Sequence, residues 1–282
     1  MEKFYLAAIS NAPQLGSVRI RRLLKVFGSA EGIWTAEKID FKQTGLPKSV
    51  IADFLEYRKK NNAAPDQLME FCGNNHVKLC SLADDDYPPI LKEIKSPPVI
   101  YYYGTLAPLA NRIGVVGSRN NTDSGSKAAC EIAEDLASEG FTIVSGGARG
   151  IDTFAHIGAL KRGRTVAVLG CGINYAFSSG NARLIRELAD NGVVMTEYAP
   201  NVQASAKTFP ARNRIIAGLS RGIVVVEGKE KSGTSITCDY ALKYERDIFL
   251  LDSPNNNIVR QGAFFIEDAA DVIQYYAGKK MR

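Results

Sequence analysis

IVSGGARGIDTFAH, residues 143–156, is the stretch whose reading decides the fold. An apolar strand ending at Val144 runs into Ser145-Gly146-Gly147, then Arg149-Gly150, and the spacing predicts a helix opening at Asp152. Glycine lets backbone N–H groups crowd inward with no Cβ in the way, and a helix N-terminus adds partial positive charge. An arginine beside such a turn brings a full charge and a planar fork suited to phosphate. The reading is a phosphate-binding loop without the lysine–serine ending of a Walker A motif.

Outward from this loop, the chain alternates strand and helix from residue 111 on. Short apolar runs at Ile113–Val116, Thr142–Ser145, Val166–Leu169, Val193–Thr196, Ile223–Val226 and Ile248–Leu251 read as buried strands. Between them, Ser124–Glu139, Asp152–Arg162, Ala182–Asp190, Arg214–Leu219 and Thr234–Tyr244 read as helices. Continuous apolar strands alternating with helices predict a parallel sheet covered on both faces. The expected fold is therefore α/β, a doubly wound, Rossmann-like, mostly parallel sheet, with extra strands from residues 77–103 at one edge. In such sheets ligands sit outside the carboxyl ends of the strands. Small-residue turns fall there at Gly117-Ser118-Arg119, Ser145 to Gly150, Gly170-Cys171-Gly172 and Ser232-Gly233-Thr234-Ser235. Phe209-Pro210-Ala211-Arg212-Asn213-Arg214 adds two arginines at an expected helix start. Together these turns predict a shared anion groove.

Residues 4–60 carry helical periodicity with no strand-like alternation, which predicts a small all-helical domain over 1–65 ahead of the sheet domain over 66–282. Asn61-Asn62-Ala63-Ala64-Pro65 is the composition break between them. Leu15-Gly16-Ser17 resembles the glycine turn of a helix-hairpin-helix, with Leu46–Leu55 as a degenerate second copy, although the usual second glycine is absent. A helical bundle used for packing explains the same residues. Arg19, Arg21, Arg22 and Lys25 suit either a solvated face or a DNA-binding one.

The 282 residues, 45% hydrophobic and 23% charged, with net charge +5, describe a globular protein that tolerates an anionic partner without demanding one. The five cysteines show no CxxC pair and no metal-ligand spacing, as expected of reduced thiols in a cytoplasmic protein. No secretory signal and no apolar run near the roughly 20 residues of a membrane span is present.

Other chemistries fit less well. For a dinucleotide cofactor, Gly170-Cys171-Gly172 is half of the fingerprint, but Tyr175 stands where the third glycine belongs and no acid ends the second strand. Asp84-Asp85-Asp86 before Pro88-Pro89 reads as a solvated turn rather than a metal site. His156 is either a general base or a buried structural hydrogen-bonder, and Asp152 is expected to N-cap its helix. The serines lack a nucleophile elbow, so no cofactor, metal or catalytic residue is expected.

The series YPPILKEIKSPPVIYYYG, VVGSR, IVSGGARGIDTFAH, TVAVLGCGI, FPARNRIIAGLS, VVVEGKEKSGTS and RQGAFF, from about Tyr87 to Phe265, resembles the DprA/Smf family, the DNA-processing protein A family of natural transformation. The helical N-terminal region fits the SAM-like domain of that family. The resemblance implies a non-catalytic protein that binds single-stranded DNA along a basic pocket, forms a homodimer and helps load a RecA-type recombinase. It places Ser118 and Arg119 at the family's GSR phosphate contact and Arg149 at the basic position of the glycine loop. Arg119 and Arg149 are then expected to clamp phosphates while Gly117, Gly146, Gly147 and Gly150 offer N–H groups, with Ser145, Ser232, Gly233 and Thr234 in the adjoining turns. Arg212 and Arg214 are placed at the groove wall. Bases are expected to stack, with Phe154 and Phe209 as candidates that core packing explains as well.

The sequence departs from the family in the GINYAFSSGN loop, which lacks a Tyr-Pro, and in the shortened loop Asp252–Asn257. It also stops soon after Tyr276, so no winged-helix domain is expected. Dimer surfaces suggested by Ile215-Ile216 and by Gly262–Ile266 compete with core packing. Two alternatives remain: a phosphoribohydrolase-like enzyme, against which Thr237 stands where the catalytic glutamate belongs, and an adaptor that binds one mononucleotide.

Overall fold

The computed structural model describes residues 1–94, 97–106, 111–176, 182–258 and 260–278. They divide into two compact units, one of Met1–Tyr102 with Glu197–Ala199, the other of Tyr103–Thr196 with Pro200–Arg282.

The first unit begins with helices α1 (Glu2–Ser10), α2 (Ser17–Phe27), α3 (Ala30–Thr35), a 3-10 turn (Asp40–Thr44), α4 (Lys48–Lys60) and α5 (Ala64–Asn74). Strand β1 (Lys78–Ser81), the short α6 (Pro89–Lys92) and β2 (Val99–Gly104) follow, β1 pairing antiparallel with β2. Side chains close the helix ends. Ser29 caps α3 by accepting from the Gly32 N–H at 2.9 Å, and Arg58 of α4 donates to the carbonyl of Ala36 at 2.8 Å. Trp34, Phe41 and Phe54 form the buried centre, with ring centroids 6.1 Å apart for Trp34–Phe54 and 5.7 Å for Phe41–Phe54. Residues 61–63 turn the chain from α4 into α5, and Pro65 sits in the first turn of α5, where a missing N–H removes no intrahelical bond. The units therefore divide after Tyr102 and not at this composition break, because α5 and β1 pack against α1.

The second unit carries β3 (Arg112–Val116), α7 (Asp123–Ser138), β4 (Thr142–Ser145), α8 (Ile151–Arg162), β5 (Thr165–Val168), α9 (Ile173–Ala176), α10 (Ala182–Asn191) and β6 (Val193–Thr196). It continues through α11 (Thr208–Leu219), β7 (Gly222–Val225), α12 (Gly233–Lys243), β8 (Asp247–Leu251), β9 (Phe264–Ile266) and α13 (Ala269–Gly278). Its strands run in the order β6-β5-β4-β3-β7-β8-β9, every pairing parallel. The expected doubly wound, Rossmann-like α/β architecture is present. One face packs Ile113, Val115, Ile143, Val224 and Phe249 against α7, α8 and α13. The other meets α11 and α12. Burial on both faces explains why these strands read as unbroken apolar runs. Three elements differ from the expected pattern: α11 starts at Thr208 and not at Arg214, α9 precedes α10, and β9 extends the sheet beyond β8.

Helices α7 and α8 meet at Gly158, where an added Cβ would run into the Cys130 carbonyl and stand 3.0 Å from the Cys130 Cα. Neither contact belongs to a side chain that can move aside. Gly158→Ala is expected to lower unfolding stability by about 2–4 kcal/mol, measured by urea titration, while an exposed change such as Glu131→Gln stays within about 0.5 kcal/mol.

Candidate functional site

β3 and β7 are neighbours in the middle of the sheet, and the chain leaves them toward opposite edges, through α7 to β4 and through α12 to β8. Their carboxyl ends bound the crevice at the topological switch point, where ligands bind in such sheets. A cavity of about 440 Å³ opens there, walled by Gly117–Asn120 after β3, Gly228, Lys229 and Ser232–Thr234 after β7, and Phe209, Pro210, Arg212, Asn213 and Ile216 of α11. The two loops leave the sheet together: Val226 N–H donates to the Val116 carbonyl at 3.1 Å and Ser118 N–H to that of Glu227 at 2.9 Å.

At the mouth, the exposed Arg119 lies over Phe209, its guanidinium carbon 4.4 Å from the ring centroid. A cation–π contact of this kind orients the charge without consuming its hydrogen-bond donors. Arg149 is exposed and donates to the Asn120 side-chain oxygen at 2.7 Å, which brings both sequence-predicted arginines to one rim. Lys229 joins them from the opposite loop. Ser232 N-caps α12, accepting from Ser235 N–H at 3.3 Å, and Asn213 ties α11 to α12 by donating to the Gly233 carbonyl at 2.9 Å. Gly117, Ser118, Arg119, Arg212, Ser232, Gly233 and Thr234 thus line the cavity, whereas Ser145, Gly146, Gly147, Arg149, Gly150 and Arg214 do not.

The glycine loop that opened the sequence reading works from behind. Ser145 Oγ donates to the Val115 carbonyl at 2.7 Å, and the Gly147 N–H, expected to face a phosphate, donates to His156 Nε2 at 3.2 Å. Gly150 has φ +93°, and a Cβ on it would stand 2.7 Å from the Arg119 Cα. Ile151 N–H donates to the Ser118 carbonyl at 3.1 Å. Residues 145–151 therefore buttress the Gly117–Asn120 loop and deliver Arg149 to the rim.

Two other expectations change. Gly150, not Asp152, occupies the N-cap of α8. Asp152 is buried at the cavity floor, where burial raises its carboxyl pKa against the opposing pull of Arg212, Ser145 and the Ala148 backbone. Arg212 is at the groove wall but buried there: only 3% exposed, it donates to the carbonyls of Gly146 at 2.6 Å and of Val168, at the ends of β4 and β5. Because α11 begins at Thr208, Arg212 lies inside the helix and faces the sheet. Arg214 lies on the α12 side, within electrostatic reach of Tyr244.

His156 is the structural hydrogen-bonder of its two readings. Nδ1 bonds the Thr165 hydroxyl at 2.7 Å, and that hydroxyl donates to the Ile143 carbonyl at 3.0 Å. Burial, with Arg212 adding to it, pushes the imidazole pKa down to about 3. Of the stacking candidates, Phe209 is at the cavity and Phe154 packs against the core. Among the described residues no group of three or more His, Cys, Asp and Glu could hold a metal, and Asp84 and Asp86 bond Ser81 N–H and the Tyr102 hydroxyl, both at 2.8 Å. The loop Asp252–Asn257 folds back on the sheet, its Asn256 amide donating to the carbonyls of Val225 at 3.0 Å and Leu251 at 3.1 Å. Residues 177–181 of the GINYAFSSGN loop lie outside the described residues.

Sequence reasoning passed over Glu227. It is buried, accepts from Thr122 N–H at 3.1 Å and from the Thr122 hydroxyl, and so anchors the residue that caps α7. The only sequence signal is an acid closing the apolar run VVVEG.

The family model for DNA recombination-mediator protein A matches residues 78–277. The chain belongs to this family. Protein Smf of Synechocystis is 38% identical over 281 residues, covering 96% of this chain and 70% of that protein. DNA processing protein DprA of Streptococcus pneumoniae is 40% identical over 204 residues, covering 68% of this chain and 72% of its own length. The X-ray structure of the Streptococcus pneumoniae DprA superimposes with TM-score 0.80 at 30% identity, over 96% of this chain and 97% of that one. A Helicobacter pylori DNA processing protein A, whose structure describes a single-stranded DNA binding mode, gives TM-score 0.65 at 25% identity, over 73% of this chain and 99% of that one.

Arg212→Met leaves two carbonyls without their donor and Asp152 without its cation, and is expected to remove about 3–5 kcal/mol of stability in urea. The folded His156 binds its proton only near pH 3, against 6.5 for the ordinary group. Its contribution to stability is therefore complete above pH 6.5 and is lost on acidification, with a slope of at most about 1.4 kcal/mol per pH unit. Melting curves between pH 7 and 4 are expected to fall less steeply for His156→Gln than for the unaltered protein.

Proposed function

We propose that the crevice holds the phosphates of single-stranded DNA and that the protein acts without chemistry on them, presenting the strand to a RecA-type recombinase during natural transformation. The observation that carries this reading is the convergence of Arg119 and Lys229 on one open cavity at the switch point, with Arg149 tied to its rim through Asn120. Cations on separate loops suit an extended polyanion, and Phe209 beside Arg119 offers a base a ring face, which gives affinity with little sequence preference. Membership of a family that includes DNA processing proteins, and likeness to a protein with a described single-stranded DNA binding mode, support the same ligand.

The polar groups at the site support binding over catalysis. His156 is buried with both ring nitrogens engaged, the Glu227 carboxylate is held by Thr122, and Thr237 bonds the Gly233 carbonyl at 3.2 Å where a phosphoribohydrolase would need a glutamate. For the homodimer, β9 is the terminal strand and Phe265 on it is 74% exposed, whereas Ile215 and Ile216 are buried core. An apolar edge strand of this kind invites a partner copy.

Fluorescence anisotropy with a labelled oligothymidylate tests the ligand. Three cations engaging phosphates are expected to give a log–log salt slope of about −2, from about −0.7 per phosphate on a single strand. Arg119→Ala and Arg149→Ala should each weaken binding across sequences and flatten that slope, with melting temperature unchanged. A mononucleotide competing as well as the oligomer, or two alanine variants with unaltered affinity, counts against the reading. Phe265→Asp is expected to shift the mass in light scattering from dimer to monomer.

A further inference from the structure

The loop that carries Lys229 into the cavity also carries an acid. Its order is Gly228-Lys229-Glu230-Lys231-Ser232, and Gly228, Lys229 and Ser232 line the cavity while Glu230 does not. A carboxylate one residue from a phosphate-binding lysine would repel the ligand and pair with the lysine if it turned inward. Something has to hold it outward.

Arg260 does this. Its side chain is 13% exposed and stands behind the turn, donating to Glu230 Oε1 at 2.8 Å, to Asp239 Oδ1 at 3.0 Å and to the Ser235 hydroxyl and carbonyl. Ser235 Oγ also bonds Glu230 Oε2 at 3.3 Å, so both carboxylate oxygens are engaged away from the cavity. Between them, Lys231 takes φ +56°, a left-handed conformation that a side chain adopts only when neighbours impose it. Ser232 Oγ closes the turn on the Lys229 carbonyl while capping α12. A planar guanidinium suits this hub, since its fork satisfies acceptors in several directions from one rigid group.

We propose that Arg260 is a positioning residue for the anion cavity: it draws Glu230 to the far side of the 228–232 turn, which masks that carboxylate and turns Lys229 and Ser232 inward. This rests on the reading of the cavity as a phosphate site. Arg260 touches no ligand in this scheme and contributes through the field and shape of the loop.

Oligothymidylate binding to the 282-residue chain tests it, in four variants read beside Arg119→Ala. Arg260→Ala releases Glu230 and is expected to weaken binding about tenfold, as rim charges acting on a charged ligand do. Arg260→Ala with Glu230→Gln removes the released acid and is expected to recover most of the loss, an outcome a merely structural role for Arg260 would not give. Arg260→Lys keeps the charge at Glu230 and is expected to stay within about threefold of the unaltered protein. Glu230→Gln alone leaves Arg260 on Asp239 and Ser235 and tests masking even if Arg260→Ala fails to fold: affinity is expected to change less than about twofold, because the acid is already neutralised. Unaltered binding by Arg260→Ala, no recovery in the double variant, or a gain above fivefold from Glu230→Gln overturns the proposal while Arg119→Ala still weakens binding. Full affinity in Arg119→Ala instead removes the phosphate site itself.

Discussion

The second unit is organised around a buried guanidinium. Arg212 reaches from α11 across the ends of β4 and β5, and its Nη atoms and the Asp152 carboxylate flank Gly146, where a Cβ would stand 2.5 Å from Nη2. A charge taken out of water is tolerated only when it is paired and its donors are satisfied. Here the carbonyls of Gly146 and Val168, the side chain of Asn213 and the charge of Asp152 meet that demand together. The same contacts set where α11 crosses the sheet, and so where Phe209 and Asn213 stand at the cavity. The floor of the site thus holds a buried guanidinium beside a buried carboxyl group, and its rim carries the exposed cations.

That separation clarifies what each loop does. The turn after β3 presents Ser118 and Arg119, and the turn after β7 presents Lys229. Behind them, the glycine loop after β4 supports the first and Arg260 the second. Glu227 binds the start of α7 to the end of β7, so the two front loops share one anchor. The acids around the cavity each have a named partner: Asp152 has Arg212, Glu227 has Thr122 and Glu230 has Arg260.

Much of this was legible in the chain. Apolar runs bounded by turns located β3 to β8 because strands buried on both faces must be apolar throughout. The GSR turn, Arg149 and Ser232-Gly233-Thr234 were placed near the crevice by the rule that ligands sit at strand carboxyl ends. Elsewhere local signals misled. The helix expected over Arg214–Leu219 starts at Thr208, because the first turn of α11 accommodates Pro210. The Asn-Ala-Pro break at 61–65 is polar because it turns two helices, with no domain change there. β9 is three residues long and two of its side chains are exposed, so it has no burial pattern to read.

Composition and spacing by themselves determined the doubly wound sheet, the crevice at its centre and the residue types offered to an anion, since strand burial and helix periodicity are written locally. They could not assign roles among like residues. Arg119, Arg212 and Arg260 look alike in a sequence, yet one meets solvent at the rim, one is buried at the cavity wall and one pairs with Glu230 and Asp239 behind the turn. The tertiary structure decided this because an arginine's role follows from how much water it keeps and which acceptors surround it. Both depend on elements distant in the chain.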